Sequence, residues 1–143
     1  MSGRVIKFRA WHKGYEAHDL LPGMIHDQTP GDCLIFRHQG QPIEVMQYTG
    51  LRDNKRTEEY LEGQEVYEGD IFPGHFNRKA RGVVRFGEYV NPFNDDGHGG
   101  HVGFYVDWKG DRGLSRKDLA YWVKVSHIIG NAFENPELMG DES

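Results

Sequence analysis

Residues 91–100 hold the oxygen and nitrogen donors that a divalent cation uses: Asp95, Asp96 and His98, with His101 just beyond. Glycines at 97, 99 and 100 leave those donors without an imposed geometry, and no His-x-x-x-His spacing accompanies them. A weak metal site and a plain hairpin tip are therefore the two readings, and the hairpin tip is the simpler. A metal-dependent hydrolase would need the first. Glu68 and Asp70 have the types of an acid/base pair, but a turn sequence places them in a structural role. No Gly-x-Ser-x-Gly elbow, phosphate-cradling loop, paired zinc motif or dinucleotide fingerprint occurs, so neither an enzymatic activity nor a cofactor is expected.

The strongest electrostatic pattern is a reversal of sign. Glu58, Glu59, Glu62, Glu65, Glu68 and Asp70 run without an intervening base, and Arg78, Lys79, Arg81 and Arg85 follow without an intervening acid. Solvated surface charge explains such a pattern most simply. Head-to-tail self-association, acidic connector against basic hairpin, is the functional alternative. Contact of the four bases with nucleic-acid phosphate is another, with Phe76, Tyr89, Phe93, Tyr105 and Trp122 as candidate stacking residues. A net charge of −5 excludes wholesale coating of a polyanion but leaves room for a local basic face.

The elements that must position these residues are mostly strands. In 143 residues there is room for one domain, or two small lobes sharing a core. Nineteen glycines, against a usual share of roughly 7%, call for many turns. Aromatic residues at 13% argue for a folded chain although charged residues reach 27%. Residues 4–11 alternate as a half-buried strand, with Ile6, Phe8 and Ala10 on one side and Arg9 and Trp11 on the other. Residues 14–30 read as irregular structure, and residues 33–37 and 42–48 as a hairpin. The polar segment 52–64 reads as a connector.

From residue 65 onward the pattern is all strand. Gly69 permits a positive φ and Asp70 can accept a bond from nearby backbone. Val84 and Phe86 share a face, as do Val102, Phe104, Val106 and Trp108, and a further strand is expected through Tyr121, Val123 and Val125. Five strands closed around one centre would hide the sheet edges. Short helical turns are predicted at residues 115–118 and at residues 135–138, where Asn135 caps and Pro136 opens. The single cysteine, Cys33, reads as a small buried apolar residue in a reducing compartment. Without a signal peptide or any apolar run of about 18 residues, no membrane association is expected and the cytoplasm is the default.

Residues 46–72, MQYTGLRDNKRTEEYLEGQEVYEGDIF, resemble the YopX family, with supporting blocks at residues 6–13 (IKFRAWHK), 82–89 (GVVRFGEY) and 126–138 (SHIIGNAFENPEL). Residues 13–41 and 55–64 depart from the pattern. The resemblance implies a phage- or prophage-encoded, mainly β protein without an established activity, whose C-terminal half is similar to an SH3-like barrel. The organisation expected is an N-terminal β/loop lobe at 1–51, a polar connector at 52–64 and an SH3-like barrel at 65–143. The functional expectation is a non-catalytic binding or adaptor module acting in a bacterial host, self-associating as a homo-oligomer and meeting a host or phage protein. A nucleic-acid-binding small barrel is the alternative.

Overall fold

The structure, a computed structural model, describes residues 5–15, 19–59, 61–74, 78–91, 100–110 and 116–139. Its described elements are mainly β. They are β1 (Phe8–His12), β2 (Gly23–His26), α1 (Asp32–His38), β3 (Ile43–Arg52), β4 (Glu65–Tyr67), β5 (Asp70–Pro73), β6 (Arg81–Tyr89), β7 (His101–Lys109), α2 (Leu119–Val125) and β8 (Gly130–Asn131). Two antiparallel sheets result, ordered β2-β1-β3-β4 and β7-β6-β5-β8.

In the first sheet β1 is central, with Ala10 opposite Val45 on β3 and Ile25 on β2. Ala10 is fully buried under α1, where Cys33 and Ile43 complete a small cluster. The opposite side of β1 is covered too, because Arg9 is only 6% exposed and Trp11 stacks on Phe133 with ring centroids 5.9 Å apart. The strand expected to be half-buried is thus enclosed on both faces at Arg9 and Ala10. Residues 14–30, read as irregular, contain β2.

Residues 33–37 form no hairpin strand; they lie in α1. Asp27 decides this locally, since its carboxylate accepts from the amides of Cys33 (2.8 Å), Gly31 (2.9 Å) and Phe8 (3.1 Å). That carboxylate ties the entry of α1 to β1, and Asp32 accepts from the Thr29 amide at 2.7 Å. Burial works to raise the Asp27 pKa, but the amides outweigh it and hold the carboxyl below its ordinary value. Cys33, fully buried, has its thiol pushed up to about 12 by loss of water and then by Asp27, which makes it an inert packing group.

The main core gathers Val66, Phe72, Val84, Val106, Trp108, Leu119, Trp122, Val123 and Ile128 from β4, one face of the second sheet, α2 and the segment that follows it. The strand expected through Tyr121, Val123 and Val125 is instead α2, whose buried residues Leu119, Trp122 and Val123 have helical spacing. Two indoles fix it. Trp108 and Trp122 both donate to the Arg116 carbonyl, at 2.9 and 2.8 Å, with ring centroids 4.9 Å apart. Four strands rather than five therefore make the second sheet. Helix α2 begins after Asp118, and Ser115 of the expected start lies outside the described residues. The turn at Pro136–Leu138 forms as expected, as a 3-10 helix, but the Asn135 side chain does not cap it, because its Oδ1 accepts from the Asn131 amide at 3.1 Å instead.

Gly82, opposite Trp108 on β7, is where the backbone admits no side chain. A Cβ there would lie 2.3 Å from Val106 Cγ1 and 2.9 Å from Trp108 Cε3. Gly82→Ala is expected to cost about 1–3 kcal/mol in urea unfolding through overpacking. An unchanged midpoint would show that the indole yields freely.

Candidate functional site: the cleft at the junction of the sheets

The turn between β4 and β5 builds the junction. Gly69 sits at φ +89°, its amide donating to the Val84 carbonyl at 2.8 Å and its carbonyl accepting from Ala132 at 2.9 Å. Asp70 Oδ2 accepts from the Tyr67 amide at 2.8 Å, the local bond expected of this turn. Glu68 faces the other sheet, where its Oε1 accepts from the Gln47 amide at 2.7 Å. Both acids therefore hold structure, as the turn sequence implies.

Arg9 closes the junction from β1. Its Nη2 donates to Asp70 Oδ1 at 2.7 Å and to the Glu68 carbonyl at 3.2 Å, and its guanidinium lies 4.7 Å from the centre of the Tyr67 ring. Asp70 is almost wholly enclosed. Burial raises its carboxyl to about 6, against the opposing pull of Arg9 and the Tyr67 amide. Burial likewise pushes the Tyr67 phenol up to about 12, so it stays protonated.

A cleft of about 850 Å³ opens over this pair, walled by Arg9, His26, Lys55, Gln64, His127 and Glu134 among others. A smaller hollow of about 360 Å³ shares Arg9, His26 and Gln64 and extends to Arg52, Glu65 and Tyr67. Loss of water lowers the His26 pKa and the Arg9 charge adds to that, which keeps the imidazole neutral at neutral pH. It meets the Tyr67 ring edge-on at 5.9 Å. The connector forms one wall and is pinned in place by Asp53, whose carboxylate accepts from the amides of Lys55 (3.0 Å), Gln64 (2.8 Å) and Ile128 (2.8 Å).

The residues marked out in the sequence lie elsewhere. Arg78 and Lys79 are exposed on the turn between β5 and β6. Arg81 follows at the start of β6, but its Nη1 donates to the carbonyls of Arg78 (2.7 Å) and Ala80 (2.8 Å). Arg85, further along, pairs with Asp107 at 2.9 Å. The structure adds Lys109, the register partner of Arg81, to this basic end. Of the metal candidates, His101 begins β7, while Asp95, Asp96 and His98 lie outside the described residues. Among the described residues no three His, Cys, Asp or Glu side chains are grouped to hold a metal. Trp122 is buried and offers no stacking face. Tyr89 and Tyr105 stack at 5.3 Å on the outer face of the β6–β7 ribbon, beside His101. Phe76 and Phe93 lie outside the described residues.

Arg9 and Asp53 carry the cleft, and sequence reasoning missed both. Arg9 stands 61 residues from Asp70, and Asp53 is 75 from Ile128, so no local spacing announces either contact.

The model of the YopX protein family matches residues 7–140, nearly the whole chain. The chain belongs to the YopX family. No curated protein shows significant similarity to it. The resemblance noted at residues 46–72 thus falls on the segment that, in this YopX member, runs from β3 through the Asp53 clasp to the Asp70 turn. Among the described residues no helix is long and apolar enough to cross a membrane.

Proposed function

We propose that this YopX member is a non-catalytic binding or adaptor module of phage or prophage origin, working in the bacterial cytoplasm and assembling with copies of itself. Its second sheet, with β4 and α2 closing over the apolar face, is read as the SH3-like barrel. The observation that carries self-association is charge complementarity between two exposed turns. Glu58, Glu59 and Glu62 are exposed on the connector and Arg78 and Lys79 on the β5–β6 turn. The three acids make no ion pair among the described residues, nor does Arg78. The acidic turn of one copy meets the basic turn of the next, a head-to-tail contact that forms a ring or a filament.

The β6–β7 ribbon supplies apolar surface for the same contact. Its core-facing side runs outward from buried Val84 and Val106 to Phe86, 57% exposed, and Val102, 72% exposed. Light scattering is expected to report oligomers at low ionic strength that dissociate towards about 0.5 M salt, where the screening length falls below about 5 Å. Arg78→Glu/Lys79→Glu is expected to give a monomer, and adding Glu58→Lys/Glu59→Lys to restore assembly. A wild-type monomer at every salt concentration would end this reading.

A nucleic-acid-binding barrel is the second reading, favoured by the Tyr89–Tyr105 stack beside exposed Arg85. Titration with single- and double-stranded DNA and RNA at low salt tests it, and absence of binding there removes it.

A further inference from the structure

Arg9 is built into the junction with only part of its donor capacity used. Nη2 makes both of its hydrogen bonds, to Asp70 and Glu68. Nε is enclosed without a partner. Nη1 makes no hydrogen bond to the described residues and is not among the enclosed unpartnered atoms, which leaves it open at the two adjoining hollows that Arg9 lines. An arginine side chain 8% exposed with two nitrogens unused among the described residues is more than a counterion for Asp70 needs.

The cleft's other groups decide what would complement it. Asp70 already answers the Arg9 charge, and Glu59 and Glu134 stand on the wall against Lys55. An anion would meet those carboxylates, and a cation would meet Arg9 and Lys55. A neutral ligand avoids both penalties. The wall presents guanidinium as donor, carboxylate as acceptor, and the His26 and His127 imidazoles, which make no hydrogen bond to the described residues and can each donate or accept. That combination matches a planar ring with a carbonyl beside an N–H, and the volume of about 850 Å³ holds one with a sugar attached.

We propose that the cleft over Arg9 binds a neutral lactam-type heterocycle of the guanine or uracil kind, its carbonyl accepting from Arg9 and its ring N–H donating to Glu134. This goes beyond self-association and does not depend on it, since the site is complete within one copy.

The test is calorimetric and NMR titration of the Arg78→Glu/Lys79→Glu protein with guanosine, uridine, 1-methylguanosine, 3-methyluridine, acetate and inorganic phosphate. Guanosine or uridine is expected to bind one to one and to shift the His26 ring resonances, with its N-methylated partner about tenfold weaker for the lost hydrogen bond. Glu134→Gln, which keeps a carbonyl oxygen for the 2.8 Å bond from Asn131 Nδ2, is expected to weaken binding about as much. Three results would overturn the proposal: no binding of either nucleoside at millimolar concentration, which leaves only water on Arg9; equal binding of the methylated forms; or preference for acetate or phosphate.

Discussion

Arg9→Met is expected to lower the unfolding free energy by about 3–5 kcal/mol near pH 8, because it strands the Asp70 carboxylate in an enclosed site. Asp70 would keep the Tyr67 amide, but its 2.7 Å bond to Nη2 and the neighbouring positive charge would go. The methionine still fills the space beside Tyr67, so the loss reports charge more than volume. The pH dependence follows from the direction of the Asp70 shift. Its folded pKa, about 6, stands above the ordinary 3.8, so the folded state holds the proton more tightly than the unfolded chain. The resulting stabilisation is complete below the unfolded value and is lost as pH rises through the folded one. Removing Arg9 removes a lowering influence and moves Asp70 further up. The penalty of Arg9→Met is therefore smaller near pH 5 than near pH 8, and pairing it with Asp70→Asn recovers most of the loss. Denaturant unfolding of the two variants at both pH values checks this. A penalty equal at both, or a double variant no better than the single, would show that the ion pair is not what Arg9 contributes.

Asp53→Ala is expected to cost at least about 3 kcal/mol, since three backbone amides lose one shared acceptor. Asp53 is 1% exposed, and its one side chain joins the start of the connector, its end at Gln64 and the segment before β8 at Ile128. Water cannot readily take its place. Gly63, at φ +93°, packs so closely here that a Cβ would fall 2.1 Å from the Asp53 carbonyl oxygen, leaving little room for rearrangement. Asp53→Asn keeps one acceptor oxygen but points an N–H₂ group at one of the donors, so an intermediate loss is expected. Amide hydrogen exchange gives the signature: Lys55, Gln64 and Ile128 exchange faster in Asp53→Ala, while the amides of β1 and β2 keep their protection. Uniform acceleration across both sheets would instead mean that the clasp is part of one global unit.

Features whose causes lie within a few residues were legible in the amino-acid order. The Tyr67–Asp70 turn is one, because a glycine tolerant of positive φ and an acid three residues from its amide partner are both local facts. The alternation of β7 is another, along with Pro136 at the start of the last helical turn and the mainly β character. Long-range packing settled the rest. The runs at 33–37 and 121–125 are too short for their apolar spacing to separate strand from helix, and the choice fell to Asp27 in one case and to two indoles on the Arg116 carbonyl in the other. Alternation also says which side chains share a face but not where the covering layer stops, which is why Val106 is buried while Val102, on the same face, lies in water. The cleft belongs wholly to this second class. A buried charge such as Arg9 is stable only where the folded chain brings it a partner, and that partner came from across the sheet junction.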